Sequence, residues 1–301
     1  MSKKHPIIAV TGSSGAGTST VKVAFEHMFR REEIKPAMIE GDSYHRYNRA
    51  EMKAAMKRFE AEGCDHFSHF GPEANLFQEL EETFRLYGEG GTGKRRLYLH
   101  NHEEAEPYAH LGCGPGDFTP WQNFDDDTDL LFYEGLHGCV IGDGIDMAQH
   151  VDLKIGVVPV INLEWIQKIH RDTQMRGYSE EAVMDTILRR MHDYVHYIVP
   201  QFKNTDINFQ RVPVVDTSDP IIARDIPEPD ESLVVIRINR PGRFGVDFPY
   251  LLQMLRGSWM SRRNSIVVPG GKMGLALELV LTPIMRHIIE EKRRHFEPVA
   301  A

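Results

Sequence analysis

The sequence predicts an α/β fold in which a mixed sheet is flanked by helices and extended at its C-terminal end. Short apolar runs of strand length alternate with longer amphipathic stretches of helical length over most of the chain. A glycine-rich segment joins the first apolar run to the first helical stretch, which is the local order of a nucleotide-binding α/β domain. Apolar runs return late in the chain. We therefore expect one domain, residues 1–301, with a core over residues 1–220 and an extension over residues 230–301.

The individual elements follow from these patterns in chain order. Strands are predicted over residues 7–10, 37–40, 130–133, 153–158, 233–238 and 265–268, with an extended piece over 96–100. Helices are predicted over residues 17–29, 49–62, 73–87, 162–199 and 272–294. Residues 88–93 should form a turn, loops should follow Pro200, and residues 220–229 should be a linker. Pro283 should kink the last helix because its ring cannot donate the backbone hydrogen bond.

Composition limits the classes of partner. The net charge of −9 argues against nucleic acid or an anionic membrane, which basic surfaces recognise. Cys64, Cys113 and Cys139 are odd in number and widely spaced, so we expect neither a disulfide framework nor a cysteine-based zinc site. A reducing cytoplasm suits this cysteine content. The apolar run at residues 7–10 is too short for a secretion signal, and no run is long enough to span a membrane.

The glycine-rich segment TGSSGAGTST, residues 11–20, has the spacing of a phosphate-binding loop but lacks its lysine. Gly12 and Gly17 have the G-x-x-x-x-G spacing, Ser19 holds the position of the Mg²⁺-binding hydroxyl, and Thr18 holds the lysine position. Backbone N–H groups at the start of a helix would bind phosphate. The candidate ATP-binding residues are Gly12, Ser13, Ser14, Gly15, Ala16, Gly17, Thr18, Ser19 and Thr20.

Other interpretations of the glycine-rich segments are open. A dinucleotide-binding turn fits Gly15 and Gly17, but Thr20 stands at the third glycine position; Glu40 does end the second strand, where a ribose-binding acid would lie. A glycine turn without function is the other alternative. The second segment, residues 88–95, has Arg95 in place of the metal-binding hydroxyl and follows a helix instead of a strand, which indicates a surface turn.

A carboxylate ends the predicted strand at residues 130–133. Glu134 follows four apolar residues and precedes Gly135, so it should lie at the sheet edge where Mg²⁺ is bound in phosphate-loop enzymes. We expect Ser19 and Glu134 to serve Mg²⁺. The Asn-Lys-x-Asp motif of a GTPase does not occur in the sequence.

A cluster of cations lies far along the chain, in the predicted long helix. Lys168, Arg171 and Asp172 lie three and four residues apart and Arg176 follows four residues after Asp172, so they share one helical face. A transferring phosphoryl group needs several cations, and a lid over residues 165–181 could supply the one missing from the loop. Lys168, which we expect to be exposed when the lid is open, would then replace the loop lysine. The alternative is a salt-bridged helix surface.

A second cluster follows the second strand and suits a phosphate-bearing acceptor. Asp42 should lie at the carboxyl edge of the sheet and could accept a hydroxyl proton. His45, Arg49 and Lys53 recur every four residues and should share one helical face that binds an anion. The alternative is that Asp42 caps a basic surface helix.

The histidines indicate a functional site only weakly. His192 and His196 are four residues apart, as in the H-E-x-x-H zinc motif, but Asp193 replaces the glutamate and no third ligand is evident, so a metal site is disfavoured. His100, His102 and His110 lie in a polar segment for which we expect a surface role.

Several of these segments together resemble one family. KIHRDTQMRGYSEE, residues 168–181, resembles the signature of phosphoribulokinases, and GSSGAGTST, with threonine for lysine, resembles their bacterial type. EGDSYHRYNR, LLFYEGLHG, PVINLEWIQKIHRD and GSWMSRRNSIVVPG also resemble this family. The resemblance implies a nucleoside-kinase-like P-loop fold and a homo-oligomer. It also implies ATP-dependent phosphorylation of ribulose 5-phosphate at O1, giving ribulose 1,5-bisphosphate in the Calvin cycle.

The resemblance assigns roles that agree with the residue patterns. Asp42 would be the general base, Lys168 would contact the transferring phosphoryl group, and Asp172 would either bind metal or orient the lid. The sugar phosphate would be held by His45, Arg49, Lys53, Arg171 and Arg176. Bacterial members are activated by NADH, for which Arg31, Arg237 and Arg262 are candidates. Because Ala16 stands where plant members have a regulatory cysteine, we expect no disulfide control.

Two further alternatives stay open. A related P-loop kinase, such as uridine or pantothenate kinase, would share the loop and fold but not the signature of residues 168–181. A nucleotide-sensing scaffold would not need Asp42 beside a basic helix.

Overall fold

The computed structural model describes residues 4–13, 17–223 and 225–296, apart from the side chains of Ser19 and Phe296. Its centre is an eight-stranded mixed sheet, which agrees with the predicted fold class. The strands are β1 Ile7–Gly12, β2 Pro36–Glu40, β3 Lys94–Arg95, β4 Gln122–Asn123, β5 Leu130–Gly135, β6 Ile141–Gly142, β7 Ile145–Asp146, β8 Leu153–Val157, β9 Ile207–Pro213, β10 Ser232–Ile238, β11 Trp259–Arg262 and β12 Ser265–Pro269.

The order of strands in the sheet separates a parallel half from an antiparallel half. The order is β11-β12-β10-β9-β8-β1-β5-β2. Strands β2, β5, β1, β8 and β9 are parallel, whereas β10, β12 and β11 add on in antiparallel pairs. The carboxyl ends of β1, β2 and β5 therefore meet at one edge, which is where ligands bind in open α/β sheets. The short pairs β3-β4 and β6-β7 lie outside this sheet.

Helices cover both faces of the sheet. They are α1 Thr18–Arg31, α2 Arg49–Ala61, α3 Phe77–Gly90, α4 His102–Ala105, α5 Ile161–His170, α6 Glu180–Asp193, α7 Phe248–Met254 and α8 Met273–Phe296. Among the described residues, no helix combines the length and apolarity that a membrane span requires.

Strand β5 shows how the sequence divides the core. Its side chains alternate between the two faces of the sheet, so Phe132 packs with Phe25 of α1 while Tyr133 packs with Phe84 of α3. Both faces of this strand are fully buried. This explains why residues 130–133 are a continuous apolar run instead of an alternating one.

The predicted elements differ from the structure in several places. Residues 207–213 form strand β9 where loops were expected, because β8 and β10 pair with it on both sides. The predicted helix 162–199 is interrupted at Gly177, whose φ of 71° lies in the left-handed region. Helix α3 continues to Gly90, two residues past the start of the expected turn. Helix α8 includes Pro283, and the kink expected there stays a prediction.

Candidate functional site

The described part of the phosphate loop has the expected order of elements. Strand β1 ends at Gly12, Ser13 is buried, and Gly17 precedes the first turn of α1, so the positive end of this helix faces the loop. Ser14, Gly15, Ala16 and the hydroxyl of Ser19 lie outside the described residues. Thr18 opens α1 and its side chain hydrogen-bonds Glu134, so the residue at the lysine position contacts the carboxylate at the end of β5.

Glu134 lies where the sequence placed it, at the carboxyl end of β5. Burial raises the pKa of Glu134, against the lowering effect of the Thr18 hydrogen bond and the Lys22 ammonium. The nearby carboxylates of Asp42 and Glu40 raise it further. A buried carboxylate among other carboxylates is stabilised by a cation, so this donor set fits Mg²⁺.

Lys22 is a cation of the site that the sequence analysis missed. It lies one helical turn after Thr18 and its ammonium forms an ion pair with Glu40. Burial opposes the charge of Lys22, but the hydrogen bond to Glu40 and the Glu134 carboxylate outweigh it and raise its pKa. The Glu40 carboxylate is thus paired with a side chain of α1, and the structure does not support a ribose-binding role for Glu40. The four-residue spacing from Thr18 was the sequence signal for Lys22.

Asp42 lies in a short 3₁₀ turn, Gly41–Tyr44, directly after β2. A Cβ at position 41 would lie 2.6 Å from the Tyr133 hydroxyl and 2.9 Å from the Gly135 Cα, so only glycine lets this turn pack against the end of β5. Helix α2 is capped by Asn48, whose side chain accepts from the Glu51 N–H. The alternative that Asp42 caps this helix is therefore wrong.

Two histidines face the Asp42 carboxylate. His45 Nε2 lies 3.2 Å from Oδ1 and His100 Nε2 lies 3.6 Å from Oδ2. Burial alone would raise the pKa of Asp42, but the His45 hydrogen bond and the charges of His45, His100 and His69 outweigh it and hold the pKa well below its usual value. Asp42 is therefore ionised at neutral pH and can accept a proton. The surface role expected for His100 is wrong, since the fold brings it to Asp42 from a distant segment.

The predicted basic helix face is only partly present. His45 is buried and precedes α2, so it does not share a helical face with Arg49 and Lys53. Its Nδ1 lies 2.8 Å from the Asn75 Oδ1, which fixes the ring toward Asp42. Arg49 donates to the His100 carbonyl at 2.6 Å, and Lys53 is exposed one turn later on α2.

The predicted lid has a buried acidic centre. Asp172 is 5% exposed and pairs with three cations: Lys168 Nζ at 2.5 Å from Oδ2, and Arg171 Nε and Arg176 Nη1 at 3.0 and 3.2 Å from Oδ1. Lys168 is 6% exposed in this arrangement, and its exposure in an open lid stays a prediction. Burial and the Arg190 charge lower the pKa of Lys168 to about 8, although its hydrogen bond with Asp172 opposes this shift.

Arg190, which was also missed, links the predicted lid to Asp42. Its charge interacts with both Asp172 and Asp42, and its guanidinium lies over the Phe70 ring at 5.0 Å. Burial lowers the pKa of this guanidinium, against the raising effect of the two carboxylates. Arg190 lies on α6, after the break at Gly177, and no spacing rule linked it to residues 168–176.

Two of the three candidates for an effector site, Arg237 and Arg262, lie within residues 230–301, and the third, Arg31, contacts that part of the chain. Arg31 donates to Glu278 at 2.8 Å and to Thr282 at 3.0 Å, both on α8. Arg237 and Arg262 are exposed on β10 and β11 and are both in register with Ser265 of β12, so the sheet brings these two near each other.

Strand-loop-helix geometry at β1, a carboxylate at the end of β5 and a helical segment rich in cations define a kinase of the P-loop class. The chain belongs to the phosphoribulokinase / uridine kinase family, whose model matches residues 7–218.

Similarity to individual proteins extends over nearly the whole chain. Phosphoribulokinase 2 of Cereibacter sphaeroides is 62% identical over 98% of this chain and 99% of its own length. Phosphoribulokinase of Nitrobacter vulgaris is 62% identical over 98% of this chain and its full length. The solved phosphoribulokinase from Rhodobacter spheroides superposes with a TM-score of 0.87 at 60% identity, covering 97% of this chain and 100% of that chain.

Proposed function

We propose that this protein phosphorylates the O1 hydroxyl of D-ribulose 5-phosphate with ATP and so supplies ribulose 1,5-bisphosphate to the Calvin cycle. The observation that carries this proposal is the full-length 62% identity to phosphoribulokinases, together with an ionised Asp42 beside a basic acceptor surface. Uridine kinases belong to the same family, but uridine carries no phosphate that would require His45, Arg49 and Lys53.

Asp42 accepts the proton of the C1 hydroxyl as that oxygen attacks the γ-phosphorus, and the bond from the γ-phosphorus to the β,γ-bridging oxygen breaks and releases ADP. Its position at the carboxyl end of β2, across from the loop, suits a base that faces the acceptor. His45 and His100 orient the carboxylate and favour its ionised form. Arg49 and Lys53 bind the 5-phosphate with His45.

The lid residues supply charge to the transferring group. The ATP phosphates bind along residues 12–20 at the N-terminus of α1. Lys168 moves from Asp172 to the γ-phosphoryl oxygens, while Arg171 and Arg176 contact the sugar phosphate. Asp172 acts as the anchor that orders these three cations, which favours lid orientation over metal binding for this residue.

Mg²⁺ with ATP would be held by Ser19 and Glu134, and it neutralises phosphate charge when bound. NADH is proposed as an activator that binds through Arg31, Arg237 and Arg262. A homo-oligomer in the cytoplasm, and a division into a core over residues 1–220 and an extension over 230–301, are part of the same proposal.

ADP release with ATP and a panel of acceptors tests the function. Ribulose 5-phosphate should support turnover, whereas uridine, pantothenate and buffer alone should not. A preference for uridine or pantothenate would favour the related kinases. Release that is equal with and without any acceptor would favour a nucleotide-binding scaffold.

A further inference from the structure

A cluster of metal-ligating side chains lies outside the site described above. His66, in the loop after α2, meets His192 and Asp193 at the end of α6, and their ligand atoms all lie within 4.8 Å of one another. The sequence analysis disfavoured a metal at His192 because no third ligand was evident. The fold supplies that ligand from residue 66, which is 126 positions away in the chain.

Cys64 lies beside this cluster but is not one of its ligands. Its Sγ lies 3.7 Å from the Nε2 and 3.8 Å from the Nδ1 of His66. A sulfur almost equally far from both ring nitrogens does not lie along the lone pair of either one. The ligand atoms that lie within 4.8 Å of one another are those of His66, His192 and Asp193.

His192 and Asp193 are spaced as two ligands of one ion. His192 Nδ1 lies 3.1 Å from the Asp193 Oδ1. Nitrogen and oxygen ligands of a tetrahedral zinc ion lie about 3.3 Å apart. The second oxygen of Asp193 accepts a hydrogen bond from Ser68 at 2.8 Å, which is the kind of outer contact that fixes a ligating carboxylate.

Exposure and packing also suit a site that an ion can enter. Asp193 is buried at the base of the cluster, while the His66 and His192 side chains are 40% and 48% exposed. The planes of the His66 and His192 rings are tilted by 37° to each other, with centroids 4.0 Å apart. His196 Nδ1 lies 2.7 Å from the His192 carbonyl oxygen and its ring stacks on His192, which steadies this part of the helix.

We propose that His66, His192 and Asp193 form a binding site for a divalent transition metal, with Zn²⁺ as the ion that best suits two imidazoles and a carboxylate, and with a water molecule as the fourth ligand. The ion ties the loop after α2 to the end of α6. Because α6 carries Arg190 two residues before His192, the site joins the acceptor side to the segment that follows the lid.

The first test is titration of the metal-free, full-length protein with ZnCl₂ by calorimetry, without ATP or Mg²⁺. One equivalent should bind, and it should raise the melting temperature because it binds only the folded chain. His66→Ala and His192→Ala should weaken binding at least 10-fold. The matched control, His110→Ala, replaces the same residue type outside the cluster and should bind like the parent. Equal affinity in the parent and His192→Ala, or no binding by the parent, would overturn the proposal.

Co²⁺ gives an independent readout of the ligands. The Co²⁺ complex of the parent should show visible d–d absorption bands, and His192→Ala should lose them, while Cys64→Ser and Cys113→Ser should keep them. Bands that are unchanged in His192→Ala would contradict the three-ligand site. Circular dichroism of each variant checks folding, and the exposed positions of His66 and His192 favour intact structure.

Discussion

The Lys168 ammonium lies 2.5 Å from the Asp172 carboxylate, one helical turn away, and both side chains are buried. Arg171 and Arg176 pair with the same carboxylate. Three cations therefore converge on one acid, which offsets one of their three positive charges. In the proposed mechanism the substrate anions compete with Asp172 for these cations.

Lys168→Met should lower kcat about 10²–10³-fold, the loss typical of one positioned charge that stabilises the transition state. Folding should be retained, because Asp172 keeps Arg171 and Arg176 as partners. Steady-state kinetics with ribulose 5-phosphate measure the effect, and Lys57→Met on the exposed surface of α2 is the matched control. Thr18→Lys should not restore the lost rate fully, since loop and lid approach the phosphates from different sides. Near-normal turnover of Lys168→Met would contradict the role.

The pH dependence should have opposite signs for activity and stability. Lys168 has a pKa of about 8, so it loses its charge and kcat should fall as pH rises through about 8. Stability behaves differently. From about pH 8 to 10 the unfolded chain binds the extra proton, so the contribution of Lys168 to the unfolding free energy rises with pH.

Profiles of kcat against pH check this assignment. In Lys168→Arg the guanidinium stays charged, so the alkaline decrease should move to higher pH even if the rate is lower throughout. An unchanged alkaline limb in Lys168→Arg would assign it to another group. Urea unfolding at pH 8 and 9.5 separates inactivation from loss of structure.

Asp42→Asn should lower kcat by about 10²–10⁴-fold, because the amide keeps the shape and cannot accept the proton. The affinity for ATP should be almost unchanged, since Asp42 faces the acceptor. Its depressed pKa also means that the base stays ionised at mildly acid pH, so a loss of activity there should come from other groups. Nucleotide titration and turnover are compared with Asp126→Asn, an exposed control. A parallel collapse of ATP affinity would make Asp42 a structural or metal-binding residue.

Asp172→Asn separates the two roles considered for this acid. If Asp172 orients the lid, kcat should fall and KM for ribulose 5-phosphate should rise, while the Mg²⁺ concentration for half-maximal rate stays unchanged. The Arg189–Asp185 pair on α6 has the same four-residue spacing but an exposed acid, so Asp185→Asn is the matched control. A tenfold higher Mg²⁺ requirement in Asp172→Asn alone would instead indicate a metal ligand.

Local patterns predicted the parallel strands and the residues that end them, because buried strands and glycine turns have strong sequence signals. Glu134 and Asp42 were found in this way. His100 and Arg190 were not, since each reaches Asp42 or Asp172 only through tertiary packing. Strand β9 was missed for a related reason: only its pairing with β8 and β10 distinguishes residues 207–213 from a loop.

The position of the new phosphate in the product tests the central claim most directly. After turnover with ATP and ribulose 5-phosphate, ³¹P NMR of the purified sugar should show two phosphomonoester signals, with the new phosphate coupled to the C1 protons. Asp42→Asn should give the same product more slowly, and Asp126→Asn should match the parent. A sugar that keeps only its 5-phosphate, or a new phosphate on any other oxygen, would contradict the account.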